Sequence, residues 1–192
     1  MKSSLYAIVL CLISNLVLAT TDIDANAEFD DSPLEENLKH PDWFKKSSGY
    51  LSDDLFDALA DGKDGLIIYF GQNRCAYCDQ FIKKNIQASD IGHYIREHFD
   101  VIHIDIWSEQ DIVDTDGTEY TERDLSIHYK TNFTPSLVFY NRNGKAVFRL
   151  RGYYPPYKFR AALKYVTEGF YKKELFRDYL ARAEPYLFFH AT

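Results

Sequence analysis

"NRCAYCDQFIKKN", residues 73–85, decides how the chain is read, because it holds the only cysteines outside the first twenty positions. Just before it, "GLIIYFG" (65–71) is a short apolar run of the kind that forms a strand buried on both faces. A helical pattern follows from about Cys75 to Gln87, so a strand runs into a helix with Cys75 at the junction. A sulfur placed there faces unpaired backbone N–H groups and the positive end of the helix dipole. Both favour thiolate over thiol and bring the pKa below the roughly 8.5 of a free cysteine. Arg74 adds a cation if its side chain turns the same way. Cys78, one helical turn along the same face, is placed to attack a mixed disulfide formed at Cys75. Cys75 is then the nucleophile and Cys78 the resolving thiol.

Two other readings compete. A four-coordinate zinc site needs two further ligands, usually a second CxxC or a histidine pair. The histidines, at 40, 93, 98, 103, 128 and 190, show no metal-type spacing, so no metal is expected. A purely structural disulfide would close a very short loop and gain little chain entropy. The redox reading is preferred.

The 192 residues allow one domain with a core plus appendages, and 46% hydrophobic with 27% charged residues is a globular composition. Residues 1–19 read as a signal peptide: Lys2, the apolar run "LYAIVLCLISNLVLA", and small residues near Ala19. At about 15 residues the run is short of the roughly 20 that span a bilayer. Cys11 is preceded by Leu10, where a lipidated cysteine would need a small residue, and so reads as apolar filler that leaves with the signal. Removing Lys2 takes the formal charge from −7 to −8, which argues against nucleic acid as a partner. The mature protein is expected to be exported, to a periplasm or similar compartment, where a disulfide persists.

Residues 20–41 are acidic and turn-prone, an expected linker or loosely docked arm, with Trp43 and Phe44 able to tether its end. Residues 42–183 form the expected domain and 184–192 a tail. Ser52 is the expected N-cap of a helix over "SDDLFDALADG". A helix at 90–99, a strand over "VIHIDI" (101–106) and a helix opened by Thr121 follow. "SLVFY" and "KAVFRLR", separated by Asn141-Arg142-Asn143-Gly144, signal an antiparallel hairpin. Pro155 and Pro156 lead into a further amphipathic helix, and one more is expected over 171–183.

Read together, "CAYC", "VIHIDIW" and "DTDGTEYTERDLSIHYKTNFTPSLVFYNRNGKAVFRLRGYYPP" resemble the thioredoxin superfamily over about residues 50–170. More narrowly, they are similar to exported thioredoxin-related proteins of the SoxW type. The resemblance implies a thioredoxin fold: an α/β domain with a central mixed sheet flanked by helices, in β-α-β-α-β-β-α order, with N- and C-terminal extensions. It implies that Pro135 is cis beside the cysteines, presenting the Thr134 backbone to an extended substrate. It also implies a disulfide oxidoreductase that reduces protein disulfides, fed by a membrane electron donor of the DsbD/CcdA kind; a dithiol oxidase or isomerase, or a non-catalytic thiol-binding assembly module, is the alternative. The Cys75–Cys78 dithiol is then the redox centre, and no organic cofactor is needed. Ala76 and Tyr77 join the substrate-facing set. Trp107 either lines the groove or caps the core.

The chain also departs from the family. Tyr69 stands six residues before Cys75, where many thioredoxins bury an Asp. Gly71 stands where SoxW-like relatives often carry Glu. Asp79 is expected to be solvated, His103 to be a hydrogen-bonded histidine in a central strand, and 111–120 to be a turn insertion near the site's rim.

Overall fold

The computed structural model describes residues 29–183. The expected signal peptide, the start of the acidic arm and the tail after Ala183 lie outside the described residues. The sheet is built from β1 (Gly65–Gly71), β2 (Phe99–Asp105), β5 (Ser136–Asn141) and β6 (Ala146–Arg151), in the order β2-β1-β5-β6. β2 runs parallel to β1 with Ile68 opposite Ile102, and β5 runs antiparallel with Ile68 opposite Val138. β1 is buried along its whole length, which is why its sequence is an unbroken apolar run instead of an alternation.

Strand alternation sorts the core into two layers. Ile67, Tyr69, Leu137 and Phe139 face one way, against Phe81 of α2 (Ala76–Phe81), Ile91 and Ile95 of α3 (Ser89–His98) and Phe159 of α5 (Pro156–Thr167). Leu66, Ile68, Phe70, Val138 and Tyr140 face the other way. They meet Leu51 and Leu55 of α1 (Leu51–Ala60) and Leu125 of α4 (Glu122–His128). α6 (Phe176–Ala183) closes an aromatic cluster with Phe148 and Tyr165, whose hydroxyl donates to Glu174 O at 2.6 Å.

Three expectations change. Ser52 does not cap α1: the helix starts at Leu51, and Asp54 reaches back to the Ser47 hydroxyl (2.5 Å) and Ser48 N–H (2.8 Å). The carboxylate thus ties the Ser47–Ser48 turn to the helix, while the N-cap residue, Tyr50, makes no side-chain cap. The helix after Cys75 does not stay α-helical, because it widens to a π turn over Ile82–Ile86, with Gln87 N–H on Ile82 O at 2.8 Å. Within that turn the fully buried Asn85 donates to Tyr154 O at 3.1 Å. Finally, β2 is an edge strand and not a central one, bridged on its outer side by Lys45, whose N–H bonds Val101 O at 2.8 Å.

The insertion after β2 is a hairpin, β3 (Asp111–Val113) and β4 (Glu119–Thr121). Its tip lies at the far end of the sheet from the cysteines and not at their rim. Thr115 Oγ1 donates to Gly144 O at 2.6 Å, in the β5–β6 turn. Buried Asp114 accepts from Tyr140 OH (2.9 Å), Tyr129 OH (2.6 Å) and Thr115 N–H (2.7 Å). Burial and this carboxylate hold the Tyr140 phenol well above its ordinary pKa. Asp114→Ala strands two phenols, one of them fully buried, and is expected to cost about 2–3 kcal/mol. Urea unfolding midpoints measure it, and Asp114→Asn, which keeps an acceptor, is expected to lose less.

Candidate redox site

Gly71 ends β1 and the chain turns through Gln72, Asn73 and Arg74 into α2. Cys75 is the residue just before the helix, in extended backbone (φ −91°, ψ 105°), and its Sγ accepts the Cys78 N–H at 3.0 Å. That donor is one that the first turn of any helix leaves unpaired, which is why the strand–helix junction suits a sulfur. Cys75 and Cys78 are joined, Sγ to Sγ, at 2.18 Å. Cys75 is 6% exposed and Cys78 is 0% exposed, so a partner reaches the outer sulfur and not the inner one.

The loop before β5 lies against the pair. Thr134 Oγ1 is 3.4 Å from Cys75 Sγ, and in the disulfide only the hydroxyl has a proton to give. The Thr134–Pro135 peptide is cis and Pro135 is buried. Ser136 Oγ donates back to Phe133 O and takes the Gly152 N–H at 3.4 Å, tying this loop to the end of β6.

Of the other sequence-derived candidates, Ala76 is buried, at 9% exposure, while Tyr77 is exposed. Trp107 is 68% exposed and therefore does not cap the core. Its indole N–H donates to Gln72 Oε1 at 2.7 Å, and its backbone N–H bonds Asp105 Oδ1 at 3.0 Å, placing it at the cysteine end of the sheet. Phe133, two residues before Pro135 and 67% exposed, was not singled out in the sequence. An aromatic residue in the short loop "TNFTP" is the signal by which it could have been found.

Arg74 turns its side chain to the arm. It adopts a left-handed backbone (φ 57°), and its Nε donates to Leu34 O at 2.7 Å. Its guanidinium is thus held by the arm, and no hydrogen bond joins it to either sulfur among the described residues. Asp79 is not simply solvated: it is partly buried and pairs with Lys83 at 2.7 Å, one turn on.

Behind the cysteines lies a polar cluster in an apolar setting. Tyr69 OH, His40 Nε2 and His103 Nε2 are buried with no hydrogen-bond partner among the described residues. His40, from the arm, stacks on His103 with ring centroids 3.7 Å apart. Burial, with His40 alongside, pushes His103 down to about 3, and burial lowers His40 against a smaller pull from Asp105. His103 is therefore not the hydrogen-bonded histidine expected. Burial, helped by the Asp79 charge, drives the Tyr69 phenol upward, so this group is no proton acceptor at neutral pH. A Cβ on Gly71 would sit 2.8 Å from Tyr69 Cε1 and 3.2 Å from His103 Nε2, so these rings exclude a larger residue there. Among the described residues, no group of three or more His, Cys, Asp or Glu side chains is placed to hold a metal.

A strand–CxxC–helix on a mixed sheet, with a cis-proline loop against the outer sulfur, defines a thioredoxin-like domain. The chain belongs to the thioredoxin-like domain family, whose pattern matches residues 51–167. A thioredoxin-fold protein from Helicobacter pylori is 26% identical, with a TM-score of 0.51 over 62% of this chain and 78% of that one. A thioredoxin from Thermus thermophilus is 22% identical over 65% of this chain and 88% of that one, with a TM-score of 0.48. A DsbH oxidoreductase is 15% identical over 68% of this chain and 91% of that one, with a TM-score of 0.45. No curated protein matches the chain.

Proposed function

We propose that this protein is an exported thiol–disulfide oxidoreductase of the thioredoxin type, related to SoxW-like proteins, that reduces disulfides on other exported proteins. The observation that carries the reading is the asymmetry of the pair: an outer sulfur hydrogen-bonded to a helix N–H and an inner sulfur sealed from solvent. In the reduced protein the same Cys78 N–H stabilises a Cys75 thiolate. That thiolate attacks a substrate disulfide, forming a mixed disulfide and releasing one substrate thiolate, which takes up a proton. Cys78 then loses its proton, attacks Cys75 Sγ and displaces the second substrate thiolate. The substrate gains two electrons and the protein leaves as the Cys75–Cys78 disulfide.

The Thr134 backbone is proposed to pair with an extended substrate segment, as an added strand does. Ala76, Tyr77 and Trp107 flank that segment. Re-reduction falls to a membrane donor of the DsbD/CcdA kind, and the dithiol serves as the only redox centre. The leader-like first 19 residues support export. Titration of the pair against glutathione or dithiothreitol tests the direction. A potential near that of thioredoxin, about −270 mV, is expected, and one nearer −120 mV overturns the reductase in favour of an oxidase.

A further inference from the structure

We propose that the arm segment 31–38 is part of the redox site, with Leu34 a positioning residue that sets the backbone on which Cys75 sits. This inference rests on the redox reading above. Leu34 and Arg74 are forty positions apart, yet they bond in both directions. Leu34 N–H donates to Arg74 O at 3.0 Å, and Arg74 Nε donates to Leu34 O at 2.7 Å. The closed ring so formed grips a residue in left-handed backbone (φ 57°), a conformation that L side chains rarely adopt. Cys75 is the next residue. Its direction into α2 decides whether its sulfur meets the Cys78 N–H, now at 3.0 Å.

The arm is held firmly enough to exert this grip. Leu34 packs against the core and Leu38 is buried in it. Further on, His40 stacks on His103 and Lys45 bonds the edge of β2. Glu35 and Glu36 are exposed and line a groove with Asp79 and Lys83, so water screens their charges.

Releasing Arg74 lets its backbone relax and draws the Cys75 sulfur off the Cys78 N–H. A thiolate that loses a donor has a higher pKa, and a dithiol whose thiolate is less stable is a stronger reductant. The arm therefore makes the pair less reducing than the bare domain would be.

Substitutions in the full chain, read by the ultraviolet absorbance of the thiolate and by glutathione equilibrium, test this. Leu34→Pro deletes the N–H that Arg74 O accepts. It is expected to raise the Cys75 pKa and to shift the equilibrium about threefold to tenfold toward the protein disulfide, tenfold being about 30 mV. Leu34→Ala keeps both backbone bonds, and is expected to lower stability while leaving the equilibrium in place. Arg74→Gly takes the left-handed backbone without strain and keeps the carbonyl that Leu34 N–H bonds, and is expected to leave the equilibrium close to that of the wild type. Adding Leu34→Pro to it is expected to shift the equilibrium little further. Equal potentials for Leu34→Pro and the wild type, or full additivity of the two changes, overturn the inference. A wild-type pair that does not cycle reversibly overturns the redox reading instead.

Discussion

Cys78→Ser is expected to end turnover and to leave substrate proteins attached to Cys75. The first displacement needs only the outer sulfur, which a partner can reach. The second needs a thiol held against that sulfur, and Cys78, fully buried and disulfide-bonded to Cys75, is the residue so held. Serine at 78 keeps the backbone N–H that polarises Cys75, so the attacking thiolate survives while its release does not. Adducts should appear on non-reducing gels, vanish with dithiothreitol, and be absent from Cys75→Ser. The catalysed rate should drop to background, on the order of the loss of a covalent nucleophile elsewhere, about three to six powers of ten. A Cys78→Ser protein with full activity would instead mark a module that holds partners through one cysteine. The identity of the adducts would name the substrates.

Acid should weaken the fold in a window set by the stacked histidines. His103 stays neutral in the folded protein down to about pH 3, whereas in the unfolded chain it takes its proton near 6.5. Between those values the unfolded state holds more protons, so stability falls as pH falls, and above the upper value the term vanishes. From pH 7 to pH 5 His103 alone should remove about 2 kcal/mol. His40 acts with the same sign, because burial lowers its pKa as well. Of the carboxyls near this pair, Asp105 favours the His40 cation. Glu122, whose pKa burial raises, acts in the opposite direction by taking its own proton more readily when folded. Urea midpoints at pH 7 and pH 5 give the difference. His103→Phe, which keeps an aromatic ring and removes the proton site, should flatten the dependence; an unchanged slope sinks the assignment.

Much of this architecture could be read from short-range pattern. The apolar run of β1, the Asn-Gly turn between β5 and β6, the Thr121 cap and the proline entry to α5 are local signals, and each lies where its pattern put it. The features that escaped are those that depend on contacts across the chain. Whether β2 is central or an edge depends on what comes to lie beside it, which no periodicity within "VIHIDI" encodes. Arg74 beside Cys75 invites an electrostatic role, and only the return of Leu34, from well upstream, shows where the guanidinium goes. His40 and His103 are far apart in sequence, and their stacking is a product of the arm's docking. The hairpin tip lies away from the cysteines because Asp114 finds its phenols at the far end of the sheet, a contact no local pattern encodes.

The two layers of the core divide labour in a way that bears on engineering. The layer under α2, α3 and α5 contains Tyr69, Cys75 and Cys78, so repacking it disturbs the chemistry. The opposite layer, under α1, α4 and the β3–β4 hairpin, contains none of them and is pinned by Asp114 at the end remote from the disulfide. A thermostable version is best sought on that second layer. There, cavity filling or a tighter hairpin can raise the melting temperature while the sulfur pair keeps its surroundings.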